Sequence, residues 1–483
     1  MNAAQHLDRL SPDDAAFLVE EDRGAHMHIG NVLIAEGPPP THAEMQQHVK
    51  ARLHLVPRYR QKLCYPPLQV GRPFWVDDPR FNLEYHVRHT ALPAPGSFDQ
   101  LRMLAGRIFS QDLDRSKPLW ELWLVQGLEH NRFAIINKTH RALVGGRGSI
   151  DIATVLFDRS PRSTHPAGAR SWAPHPEPSP AELFAAGLRD AIETPAQLAA
   201  EAWEALSEPQ ATLASLRQVA SGLTEVLAAY LDPPSPTPLN VPIGTHRRVF
   251  WTRCRLEDFS AIKDAFGTDV NDVYVAVVSG ALNRWLRHRG IHSRGLRLRA
   301  AIPISFKIPR PDGGVASRIV ECFAPLPVQC NDPAERLAIV HTALKDLKTS
   351  RQALGARTIS TLQAFTPPAL LAQVARLRFS TRLFNLVLTN IPGPQSPLYL
   401  LGRQVEQLCP IGFLLENNAL MVVMASYNGM LEIGLTADPD ALPDLDELGS
   451  ALDDAIAELR EAASKLQPKK AKKKRSAKAA RQT

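Results

Sequence analysis

The segment Lys138-Thr139-His140-Arg141-Ala142-Leu143-Val144-Gly145-Gly146 holds the residue types best suited to chemistry in this sequence. A histidine titrates near neutrality and can take a proton from a hydroxyl nucleophile, so His140 is a candidate general base. The competing reading makes it a structural histidine at a strand end. Its neighbour Arg141 stays protonated at physiological pH and cannot accept that proton. Beyond it, RALVGGRGS carries Arg141, Arg147, three glycines and a helix start near Ser149. Glycine-rich backbone ahead of a helix can cradle a carboxylate or phosphate; drift in an unconstrained loop is the simpler expectation. His26 and His28 are two apart and could share a metal, but they are not expected to find a partnering Cys, Asp or Glu cluster. A structural role is expected, and no metal.

The elements around these residues follow from pattern. Residues 119–128, LWELWLVQGL, read as a strand, and RFAIINKTH as its hairpin partner across Glu129-His130-Asn131. Trp120 and Trp123 then lie on opposite faces, with at least one in the core. Apolar pairs from Val273/Tyr274 to Trp285/Leu286 predict a helix over 270–289, capped by Asp269 and ended by Gly290. Strands are expected at 297–304, 319–328, 420–427 and 430–436, the last two joined at Asn428-Gly429, followed by a terminal helix over 444–465. Ser305 ends one of these strands and could donate to an oxyanion. Proline clusters mark 159–242 as a crossover with two or three helices. The expected plan is an α/β protein of two similar halves: an N-terminal domain over 1–158, the crossover, a C-terminal domain over 243–462, and a disordered basic tail over 463–483.

The central segment resembles the His-His-x-x-x-Asp-Gly motif of the wax ester synthase/diacylglycerol acyltransferase family. Other blocks resemble that family in the same order: LSPDDAAFL at 10–18, MHIGNVLI at 27–34, Pro118-Leu119-Trp120, Asn271-Asp272, Ile302-Pro303-Ile304-Ser305, Asn390-Ile391-Pro392-Gly393-Pro394 and SYNGMLEIGLTADPDALPD at 426–444. The resemblance implies two domains related to chloramphenicol acetyltransferase and condensation domains, with a tunnel between them for acyl-CoA and an alcohol. It implies no cofactor beyond acyl-CoA as co-substrate. It also implies substrate-binding positions at Pro118, Leu119, Trp120, Asn271, Asp272, Ser305 and Asn390. The sequence departs from the family at its centre. His140 falls on the first histidine, Arg141 on the second, catalytic one, and Gly145 on the aspartate. The family's Gly-Asn pair falls on Ala316-Ser317. Since adjacent strand residues face opposite ways, His140 is not expected to replace the base by a one-residue shift. Two functions remain: an impaired O-acyltransferase of neutral lipid synthesis, or a non-catalytic acyl-CoA- or lipid-binding homologue that regulates active relatives.

Composition bounds the rest. Five scattered cysteines without a CxxC pair argue against a disulfide framework and for a reducing compartment. No signal-peptide layout and no apolar run of about 20 residues is present, so membrane contact is expected to be peripheral. The net charge is +7, yet residues 465–483 hold nine Lys or Arg and no acid, which leaves the body slightly negative. Such a tail is expected to seek an anionic membrane or lipid-droplet surface, and less plausibly nucleic acid.

Overall fold

The computed structural model describes residues 7–21, 24–144, 152–162, 172–189, 230–309, 315–349 and 382–479. Fifteen strands occur among them. They are β1 (Asp8–Arg9), β2 (His28–Glu36), β3 (Gln61–Cys64), β4 (Phe74–Asp77), β5 (Val87–Ala91), β6 (Trp120–Leu128), β7 (Arg132–His140), β8 (Arg248–Arg255), β9 (Leu298–Pro309), β10 (Val315–Leu326), β11 (Leu386–Pro392), β12 (Tyr399–Leu400), β13 (Arg403–Ile411), β14 (Leu420–Tyr427) and β15 (Met430–Ala437). They build a small sheet, β1-β4-β3, and two six-stranded sheets, β12-β13-β2-β7-β6-β5 and β10-β9-β11-β14-β15-β8.

The expected hairpin is present. Strand β6 runs antiparallel to β7, and His130 and Asn131 turn the chain at φ 63° and 54°. Strands β14 and β15 turn at Asn428 and Gly429, both with positive φ. That backbone is the one Asn-Gly favours in a two-residue hairpin. The helix Val270–His288 starts with a capping box between Asp269 and Asp272 and buries fourteen of its residues, among them Trp285 and Leu286. It packs with Leu256–Phe266, Pro333–Thr349 and Leu445–Ala479 over the second sheet.

In the first half, His42–Arg52 covers one face of the sheet and Phe98–Phe109 the other. The second of these helices also meets Val249 and Trp251 of β8, so it lies between the two large sheets. Gly106 makes that approach possible, since a Cβ there would stand 2.5 Å from the Arg247 carbonyl oxygen.

Two findings depart from the sequence-based plan. Within 243–462, β13 pairs with β2 of the first sheet, and β12 with β13, so both join the first sheet instead of the second. The Trp251 indole donates to the Pro410 carbonyl, and the Tyr427 hydroxyl donates to that of Val405, which pins the crossover from the second half. The terminal helix runs on to Ala479, past residue 463 where the basic tail was expected to begin. Its Ala, Lys and Arg residues favour helix, whereas Pro468 within it withholds one backbone donor.

Candidate active site

His140 is the last residue of β7 and pairs across the ladder with His28 of β2. Cross-strand partners share a face, so both rings lie on the side of the helix Phe98–Phe109. His26, two residues earlier, stacks on His28 with ring centroids 5.4 Å apart, and His28 meets His140 edge-on at 6.1 Å. All three histidines are buried. One carboxylate serves two of them: Glu21 lies 3.4 Å from His28 Nε2 and 3.3 Å from His140 Nε2, and Arg115 Nε donates to it at 3.0 Å. His26 Nδ1 lies 2.6 Å from Asp112. The expectation that no acidic cluster partners His26 and His28 is corrected by the structure: Glu21, in the run Glu20-Glu21-Asp22 just before His26, and Asp112, from the loop before β6, both reach the histidines. No local pattern marked Asp112.

The ring of His140 is committed. Its Nδ1 accepts the Ala142 N–H at 3.1 Å, so its proton sits on Nε2, toward Glu21. Neither nitrogen has a lone pair free for an alcohol proton, which supports the structural reading. Lys138, on the same face, is fully buried and donates to the carbonyls of Ile108 and Gln111. It caps the C-terminal end of the helix Phe98–Phe109. Burial lowers its ammonium to about 8, against the pull of Glu121 and Asp112.

Burial pushes the Glu21 carboxyl up, but His140, His28 and the Arg115 charge outweigh it and hold the group well below the usual range. Burial pulls His28 well down, with Lys138 and His140 adding to it and Glu21 opposing. His26 is lowered by burial and by Arg247, with Asp112 and Glu21 opposing. A histidine depressed in the folded state takes up protons first on unfolding. Its contribution to stability is complete above its unfolded value of about 6.5 and is lost as pH falls below that. The melting temperature should therefore fall between about pH 7 and pH 5, and His28→Gln should make the fall shallower. A variant with the slope of the starting protein would show that the cluster does not set it.

Arg141 opens the 3-10 turn Arg141–Leu143, its N–H bonded to the Met27 carbonyl. It is half-buried, and its guanidinium lies 5.0 Å from the Phe17 ring centroid. Phe17 belongs to an apolar seam built by both halves: Ala25 and Met27 from the first, Ala301, Phe323, Phe384 and Leu415 from the second. Phe413 packs edge-on against Phe17 at 5.9 Å.

The remaining expected positions are placed as follows. Pro118, Leu119 and Trp120 are buried. The Trp120 indole donates to the Tyr59 carbonyl, and its ring stacks on His86 at 4.6 Å, so this block serves the core of the first half. Asp272 accepts the Asp269 N–H at 2.8 Å and lies 2.7 Å from His341 Nδ1. Asn390 at the end of β11 donates to Asn271 at 2.8 Å, which ties two separate blocks together. Ser305 sits on β9 opposite Ile319. The side chains of Ser305 and of Ala316-Ser317 lie outside the described residues, as do Gly145, Arg147 and Ser149. Among the described residues, one set of three ligand-type side chains comes within reach of a common ion: His288, Asp444 and Glu447. There Asp444 is already taken by Arg289 and Trp285.

Two α/β halves, one lending strands to the sheet of the other, with a histidine ending the central hairpin, define the fold class of the chloramphenicol acetyltransferase-like and condensation domains. A starter condensation domain of rhizomide synthetase superposes with a TM-score of 0.56 at 13% identity, over 95% of each chain, which shows the fold alone. The wax ester synthase/diacylglycerol acyltransferase from Marinobacter aquaeolei VT8 superposes with a TM-score of 0.67 at 25% identity, covering 95% of this chain and 100% of that one. The wax ester synthase/diacylglycerol acyltransferase catalytic domain matches residues 10–274, and the C-terminal domain of the same family matches 318–460. The chain belongs to the wax ester synthase/diacylglycerol acyltransferase family. A Mycobacterium tuberculosis protein named as a diacylglycerol O-acyltransferase is 31% identical, covering 94% of this chain and 90% of the relative. The O-acyltransferase WSD of Acinetobacter baylyi is 28% identical, covering 92% and 96%.

Proposed function

We propose that this chain takes acyl-CoA and a neutral-lipid acceptor, diacylglycerol or a long-chain alcohol, into a tunnel between its halves, and forms ester and free CoA poorly. The observation that carries this reading is the residue at the base position. Arg141 points its guanidinium at Phe17 in the seam between the halves. A guanidinium cannot be deprotonated in a protein, and without a base a hydroxyl attacks a thioester slowly. His140 cannot stand in, because its Nδ1 is held by the Ala142 N–H. The same observation favours a second reading, a non-catalytic acyl-CoA- or lipid-binding homologue that modulates active relatives. A turnover assay with labelled long-chain acyl-CoA and diacylglycerol or hexadecanol decides between them. Turnover at the rate of active relatives would overturn both readings.

The proposed location is cytoplasmic, at an anionic membrane or lipid-droplet surface. Among the described residues no helix is long and apolar enough to cross a membrane. The nine basic residues of 465–483 carry the attraction, each worth about 1 kcal/mol near an anionic surface. Removing 465–483 should leave the melting temperature nearly unchanged and weaken binding to phosphatidylserine vesicles, with a strong dependence on salt. Equal binding by both forms at low salt would exclude the tail as the anchor.

A further inference from the structure

We propose that His26 and His28 form an acid-sensitive latch on the joint between the halves, and that protonating them releases Arg247 and loosens the seam. The joint lies where the chain enters the second half, just ahead of β8. There the Arg247 N–H donates to Ser110 Oγ at 2.8 Å, and its guanidinium donates to the Gly24 carbonyl and, at 2.7 Å, to that of Gly244. The Arg247 side chain is buried. The segment that follows Gly24 serves both sides of the joint. Ala25 and Met27 pack in the apolar seam, against which Ile243 of the second half also packs. His26 and His28 turn instead into the histidine cluster. The Met27 carbonyl also accepts the Arg141 N–H. A displacement of His26 therefore moves the seam residues on either side of it and the carbonyl that holds Arg247.

The charges around the two rings set the direction of the response. Arg247, Lys138 and Arg115 bring positive charge, Glu21 and Asp112 negative charge, and His140 faces His28 edge-on. Glu121, which also faces Lys138, is engaged by Arg88. The Asp112 side chain is 75% exposed, so water screens it, while both imidazoles are 2% exposed. A proton added to either ring thus enters a buried site that already holds more fixed cations than anions. Lys138 is tied to the end of the helix Phe98–Phe109 and Arg115 to Glu21, whereas Arg247 can leave with the second half. Undocking admits water to the rings, and a hydrated histidine takes up its proton near pH 6.5. Burial keeps both rings neutral below that value in the closed joint. Acid therefore favours the open joint, increasingly as pH falls through about 6.5.

The test is amide hydrogen exchange of the full-length protein at about pH 7.5 and about pH 5.5, corrected for the intrinsic pH dependence of exchange. Each histidine is expected to raise opening about tenfold over that interval, so exchange in 24–28 and 244–250 should rise by about ten- to a hundredfold. The β14–β15 hairpin is the reference and should not change. His26→Gln with His28→Gln should abolish the rise, and each single substitution should remove part of it. Arg247→Met should open the joint already at the higher pH. Melting temperatures at that pH show which variants are folded; if the double histidine variant is not, the single ones decide. Exchange at the joint that stays level between the two pH values overturns the proposal. So does an equal rise in the reference hairpin, which would mean global unfolding, or a rise that persists undiminished in folded histidine variants. A joint as closed in Arg247→Met as in the starting protein overturns it as well.

Discussion

Arg141→His combined with Gly145→Asp is expected to raise acyl transfer by about 10²–10⁴-fold, the usual worth of a general base. The expectation rests on how much of the architecture is kept. Strand β7 ends at residue 140, and the next side chain reaches the seam between the halves. On the motif register proposed above, a histidine at 141 stands at the position of the base, while His140 remains fixed by Ala142 and Glu21. Arg141→His alone should gain less, because an imidazole without a supporting carboxylate samples unproductive orientations. His140→Ala serves as the control. If it abolishes activity in a folded starting protein, His140 is the base after all. If the double variant binds acyl-CoA, stays folded and still does not turn over, the defect reaches beyond positions 141 and 145, and Ala316-Ser317 is the next pair to restore.

Asp158→Ala should cost about 3–5 kcal/mol of stability, the penalty for leaving a buried charge unpaired. The Asp158 oxygens lie 3.2 and 3.3 Å from Arg52, with both side chains buried. The Arg52 guanidinium also donates to His48 Nδ1 at 2.9 Å, and His48 Nε2 reaches the Leu156 carbonyl. The ring therefore donates through Nε2 and accepts through Nδ1. Asp158 in addition exchanges backbone hydrogen bonds with Tyr399 of β12, both at 2.8 Å. The substitution thus strains the joint where the C-terminal strands meet the first half. Denaturant unfolding with an unchanged slope and a lower midpoint is the expected result, and Asp158→Asn should lose less. A midpoint within error of the starting protein would mean that Arg52 finds another partner or water.

Features encoded by neighbours in the chain were legible from sequence. The β6–β7 hairpin follows from alternating apolar residues around a polar turn, the β14–β15 turn from Asn428-Gly429, and the helix Val270–His288 from paired apolar positions and Asp269. The substitution at the base position was legible too, because it is a change of residue type inside a recognisable block. The setting of that block was not. Glu21 reaches His140 across 119 residues and Asp112 reaches His26 across 86, and their carboxylates carry no mark that distinguishes them from surface acids. Resemblance placed Trp120 and Asp272 at substrate, while pattern allowed a core tryptophan and a helix cap; their partners in the structure are Tyr59, His86, Asp269 and His341. Strand β13 alternates like any strand, and nothing local says which sheet will receive it. The basic tail has no apolar face and contains Pro468, so periodicity and propensity gave no helix there, and the bounds of the terminal helix were not legible.

The strand exchange bears on how the chain can be divided. A fragment ending before β8 would contain β2 without β13, so the N–H and C=O groups from Gly30 to Ala35 that face β13 would form an open edge. Such an edge, flanked by Val32, Leu33 and Ile34, is a template for pairing with another copy. The first half made alone would accordingly be prone to self-association, and during synthesis this edge stays uncovered until more than two thirds of the polypeptide has left the ribosome.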